Sequence, residues 1–91
     1  MAEGKPIWTK EAEEILAKLI SLVSPYNRDK ARAGTIREAE VLATAAGAPV
    51  DVDMVVRAYI GGLPPAFKMT AKGTLTKAGL DPEKYNDLLV V

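Results

Sequence analysis

Between Lys10 and Val23 the apolar residues recur every three or four positions, a rhythm that buries one side of a helix and would be split between both faces of a strand. Ala12, Ile15, Leu16, Leu19, Ile20, Leu22 and Val23 fall on one side, while Lys10, Glu13, Glu14, Ala17, Lys18 and Ser21 fall on the other. Thr9 precedes the pattern as an N-cap, its hydroxyl placed to accept from an unpaired first-turn amide. Glu11, Glu13 and Glu14 then sit at the positive end of the helix dipole, and Glu14 and Lys18 have the favourable order for a surface pair. A Ser-Pro-Tyr-Asn junction and an Ala-rich second segment complete a helical hairpin from Trp8 to Gly47. This hairpin is expected to organise the rest of the chain.

The junction sets where the second helix begins. Proline turns the residue before it away from helix and fits the first turn of a new one, so Pro25 or Tyr26 is the expected start, with Ser24 as cap. Gly47 is the expected left-handed C-cap after Ala46. Ala31, Thr35, Ile36, Ala39, Leu42, Ala43 and Ala46 face inward, and their small size implies close helix approach. Gly34 in mid-helix costs about 1 kcal/mol against alanine. The third segment opens on Asp51 as N-cap, with Val50 before it able to staple onto Val55, and Gly61-Gly62 closes it. Leu63-Pro64-Pro65 reads as an extended connector. Lys68 to Lys77 has weak helical spacing broken by Gly73, and Gly79 stops it. Asp81-Pro82-Glu83 combines a cap, a first-turn proline and an early carboxylate, so a short helix follows, docked by Tyr85, Leu88 and Leu89.

The expected fold is therefore all-α: three core helices at about 10–23, 25–46 and 52–60, and a short C-terminal helix at about 82–89. Residues 1–8 form a lead-in with 1–7 mobile, 9–60 a helical core domain, and 61–91 an extension. Ile7 is placed to staple onto the first turn. Leu16, Leu19, Val23, Ile36, Leu42, Val55 and Val56 make the core. Val41 and Met54 lie opposite their helices' apolar stripes, so the extension or another chain should cover them, and the Leu-Leu-Val-Val ending should dock.

Composition removes several classes of function. The chain has 91 residues, enough for one modest core that buries roughly 60–65% of the unfolded surface. Twelve cations balance twelve carboxylates, which argues against bulk attraction to nucleic acid or anionic membrane while leaving room for a local patch. With no cysteine there is no disulfide or thiol chemistry, and with no histidine the usual general base is missing and a metal would need carboxylates alone. No Ser-His-Asp set or Walker loop occurs. Ala71-Lys72-Gly73-Thr74 resembles a fragment of a phosphate loop but lacks its first glycine and a preceding strand. No catalytic or metal residues and no cofactor are assigned. The longest apolar run falls far short of a membrane span, and the opening lacks the build of a signal peptide, so the expected location is cytoplasmic.

One local cluster is more informative, and its Arg28 and Arg32 extend the inward stripe continued by Thr35, Ala39 and Ala46. Arg28, Lys30 and Arg32 crowd the opening turns of the second helix, where cations face the positive dipole end, a placement mildly unfavourable for folding alone. Two roles fit them. Their stems cover the core end while the charged heads reach water, or guanidinium forks and free amides together bind phosphate or carboxylate. Trp8, the only tryptophan, is a lid over one end of the core or a binding ring, and Tyr26 stands beside the cluster.

Trp8-Thr9-Lys10-Glu11-Ala12 with Leu16, the Arg28-to-Arg32 cluster, Glu40, Ala43, Gly47, Val52 and Val56 resemble the small C-terminal domain of the light-independent protochlorophyllide reductase B subunit. The resemblance spans about residues 7–60. Leu22-Val23-Ser24-Pro25-Tyr26 replaces that family's compact proline-aromatic turn, and the tail after Gly61 has no counterpart in it. In the parent reductase the domain is an appendage near the tetrapyrrole site, with clusters and electron transfer elsewhere. The resemblance thus implies a free-standing, non-catalytic binding module for a partner protein or an anionic tetrapyrrole-like ligand, with Arg28, Lys30, Arg32, Trp8 and Tyr26 as binding residues. A small DNA-binding protein and a purely structural oligomerisation unit, monomer or weak homo-oligomer, are the alternatives.

Overall fold

The computed structural model describes residues 6–89, and these form an all-α fold. Helix α1 spans Lys10–Ser21, α2 Arg28–Ala46, α3 Val52–Gly61 and α4 Pro65–Lys77; a 3-10 turn at Pro82–Tyr85 runs into α5, Asn86–Leu89. Strand-like pairing among the described residues is limited to one isolated parallel bridge between Trp8 and Val50.

The organising element is α3 rather than the α1–α2 hairpin. It packs against α1, α2 and α5, and its contacts with α1 and with α2 are each more extensive than the contact between α1 and α2. The reason is chemical: Val55, Val56, Ala58, Tyr59 and Ile60 are all buried, so α3 is apolar around most of its cylinder and needs neighbours on several sides. Leu16, Leu19 and Ile20 of α1 and the small Ala39 and Ala43 of α2 close on the same core. Burying each such large aliphatic side chain contributes about 1.5–3 kcal/mol.

The helix ends follow their caps. Thr9 Oγ1 accepts from Ala12 N–H at 3.1 Å, and Asp51 Oδ1 accepts from Met54 N–H at 2.9 Å. Gly47 closes α2 with φ at 64°, and Gly79 turns the chain after α4 with φ at 84°. The start of α2 departs from expectation. Pro25 lies in a turn closed by the Asn27 N–H to the Ser24 carbonyl at 3.0 Å, so Ser24 caps nothing and the helix opens at Arg28. Proline at the second position of a turn is as well placed as at a helix start. Likewise α1 ends at Ser21, because Leu22 and Val23 bond back to Leu19 and Ile20, tightening the last turn. The C-terminal helix is 3-10 for its first four residues, with the Asp81 carboxylate accepting from Glu83 N–H at 3.0 Å.

Three further expectations change. Pro65 is the first residue of α4 rather than part of a connector, and α4 runs through Gly73. The lead-in is tied down from Ile7 to Thr9, since Val50 N–H donates to the Ile7 carbonyl at 2.8 Å and Thr9 N–H to the Val50 carbonyl at 3.0 Å. That pairing holds the Ile7 side chain out in solvent, 77% exposed, away from any staple. Leu16, Leu19, Val55 and Val56 are buried as expected, Val23 and Ile36 are half-buried against the core, and Leu42 is half-buried but does not join the core. The extension packs on α3 through α5, and Met54 is half-buried against the core, but Val41 on α2 stays 54% exposed. Val90 and Val91, and residues 1–5 of the lead-in, lie outside the described residues.

Candidate functional site

The expected site residues separate into different roles. Arg28 is turned back onto α1: its Nε donates to the carbonyls of Val23 at 3.0 Å and Ile20 at 3.2 Å, and Nη2 donates to the Ser21 carbonyl at 2.9 Å. The guanidinium thus satisfies acceptors left over at the end of α1 and meets the negative end of that helix's dipole. Its position at the start of α2 is therefore favourable for folding, opposite to what its own helix suggests.

Trp8 is also occupied. Its ring packs on the core, and Nε1 donates to Glu40 Oε2 at 2.9 Å across 32 residues of chain. A charged acceptor makes this bond stronger than a neutral one. Lys30 and Tyr26 are exposed, Tyr26 at 93%, and neither borders a concavity described below.

Arg32 does border one. It stands with Ile36 and Glu40 on one ridge of α2, three residues four apart. A shallow, open groove runs along each side of this ridge. The wider one has an apolar floor that includes Ala33, Ile36, Val41 and Ala45, with Arg32 and Arg37 at its rim and Pro6 on the far bank. The narrower one lies between the ridge and α1, next to Trp8 and Glu13. Glu40 keeps its negative charge while it accepts from the indole, so the lining of the wider groove sets two guanidiniums against one carboxylate. Arg37 was not read from the sequence. The signal for it was its place five residues after Arg32 beside exposed Val41, an outward pairing that only the orientation of α2 reveals.

A second polar cluster sits where α3 meets the C-terminal turn. Arg57 Nε donates to Asp53 Oδ2 at 2.9 Å, and its guanidinium lies 5.7 Å from the Tyr85 ring centre, within cation–π reach. The hydrogen bond and charge of Asp53 raise the Arg57 pKa further. Burial, then the Asp53 carboxylate, push the Tyr85 phenol up to about 12. Burial also raises Tyr59, with the Thr74 hydroxyl opposing. This cluster fastens the C-terminal segment and has no concavity of its own among those described.

Among the described residues no group of three or more acidic side chains gathers to hold a metal, and no helix is long and apolar enough to cross a membrane. Compared with protein-family models, with curated proteins and with solved structures, the chain matches none of them.

Proposed function

We propose that the chain is a non-catalytic helical binding module that uses the wider α2 groove to hold an apolar surface bearing carboxylates. The observation that carries this reading is the pairing of Arg32 and Arg37 with the exposed apolar lining around Val41, which the described residues of the C-terminal extension leave uncovered. Guanidinium forks match carboxylate geometry, and an apolar floor beneath them excludes water from that bond. A tetrapyrrole-like macrocycle with carboxylate arms offers this chemistry, in keeping with the resemblance to the reductase appendage, and so does an acidic amphipathic helix of a partner protein. The compartment proposed is the cytoplasm. Arg28 and Trp8 support the site from behind by fixing α2 against α1 and the lead-in.

The test is titration of the full chain with a dicarboxylate porphyrin, paired with pull-down from lysate, for the wild type and for Arg32→Gln with Arg37→Gln. The reading predicts binding by the wild type and loss in the double variant without loss of helix content. A wild type that binds neither porphyrin nor protein, but retains duplex DNA with steep salt dependence, overturns it.

A further inference from the structure

Helix α2 carries opposite charge in its two halves. Its first ten residues hold Arg28, Lys30, Arg32 and Arg37 against Asp29, and its last nine hold Glu38 and Glu40 with no cation. Arg28 is engaged on the end of α1, and Lys30, Arg32 and Arg37 still outnumber Asp29 by two. This order runs against the helix's own dipole, whose negative end at Ala46 has no cation in its last turn.

The lining of the wider groove has an internal symmetry. Ala33, Arg37, Glu40 and Thr44 recur at spacings of four, three and four. They form one stripe about 60° wide, set round the helix from buried Thr35, Ala39 and Ala43. Ile36 and Val41 flank that stripe, one on each side, at equal angles. Reversing the helix about the midpoint between Glu38 and Ala39 exchanges Arg37 with Glu40, Ala33 with Thr44 and Ile36 with Val41. Two copies of this face laid antiparallel therefore set each Arg37 level with the other copy's Glu40, twice over. Glu40 accepts from the indole at Oε2, and Oε1 can take a second donor. Lys30 and Arg32 come level with the second copy's Gly47 and Ala45, beside the dipole end that lacks a cation. A parallel pairing would instead set Arg37 against Arg37.

We propose that the wider α2 groove is a self-association face, which takes α2 of a second copy antiparallel about a two-fold axis. The inference rests on the groove reading above and names its occupant, since α2 itself offers an apolar surface bearing a carboxylate. One helix face against another falls below about 1,200 Å² of buried surface, the range of transient complexes. The dimer is therefore weak and exchanging.

Two measurements on the full chain test it. In sedimentation equilibrium up to about 1 mM, the wild type shows a monomer–dimer equilibrium that weakens with added salt. Arg37→Glu lowers association roughly tenfold or more with helix content retained, because the two-fold axis counts the reversal twice. Crosslinking reads the register without touching the charges. The chain has no cysteine, and Ala33 and Thr44 are both exposed, so Ala33→Cys and Thr44→Cys are oxidised separately and as a mixture. The mixture links much faster than either variant alone, because positions 33 and 44 meet while like positions stand about 16 Å apart along the axis. A wild type that stays monomeric, or a mixture no faster than its components, overturns the proposal. Porphyrin titration at a concentration where the chain is monomeric reads the groove by itself. Binding there by a chain that never dimerises removes this occupant and leaves the groove reading standing.

Discussion

Arg28 Nη2 lies 2.9 Å from the Ser21 carbonyl, so the first residue of α2 completes the last turn of α1. The same guanidinium also donates through Nε to Val23 and Ile20. Arg28→Ala should cost about 1–2 kcal/mol, because a charge-assisted cap is lost while the carbonyls regain water. Arg32→Gln, on an exposed ridge position, should stay within about 0.5 kcal/mol. Urea denaturation of the two variants checks the difference.

Leu19 is fully buried in the last turn of α1. Leu19→Ala should destabilise by about 2–5 kcal/mol, through lost burial and the cavity it leaves. A change below about 0.5 kcal/mol in equilibrium unfolding would be that of a surface position, and would move α1 to a different register.

Trp8→Phe keeps a ring over the core and removes the donor to Glu40. The expected cost is about 1–2 kcal/mol, in part because the half-buried carboxylate loses its partner. A double-mutant cycle with Glu40→Ala, which removes the acceptor, isolates the pair, and a coupling of at least about 0.5 kcal/mol is expected.

Gly34 and Gly73 lie inside α2 and α4 with open space where a β-carbon would stand. Alanine at either should stabilise by about 0.5–1 kcal/mol, since the helix no longer fixes a freer residue. Gly47→Ala should do the reverse by about 1 kcal/mol, as φ is 64° there. Thermal melts of the three variants give the signs directly.

The pH dependence follows from Tyr85. Its phenol titrates near 10.0 when unfolded and at about 12 when folded, so the folded state favours the protonated form. That contribution is complete below the unfolded value and is lost as pH rises from 10.0 through about 12. Tyr59 shifts in the same direction. Thermal melts across this window should show steeper alkaline destabilisation in the wild type than in Tyr85→Phe.

Legibility in the sequence tracked how local each cause was. Helix α1 was evident because its stripe, its Thr9 cap and its first-turn acids agree within one segment. Helix α4 was hidden because Ala71 and Leu75 alone are buried along it, a stripe too sparse to stand out among threonines, lysines and Gly73. The start of α2 was misplaced because Pro25 suits a turn and a first helical turn equally. The roles of Arg28 and Trp8 depend on partners in other elements, Ser21 and Glu40, which no periodicity announces. The groove was half visible: Arg32 stood out as charge, while Arg37 needed the helix to be oriented.

The bridge between Trp8 and Val50 has a mechanical consequence. Its two short segments run in the same direction, held by the bonds at Ile7 and Thr9. Tension applied between the two ends of the chain draws one segment by its front and the other by its back, so both bonds are sheared together rather than opened in turn. Force therefore reaches α1 only after the clasp has slipped, and the hairpin behind it is shielded until then.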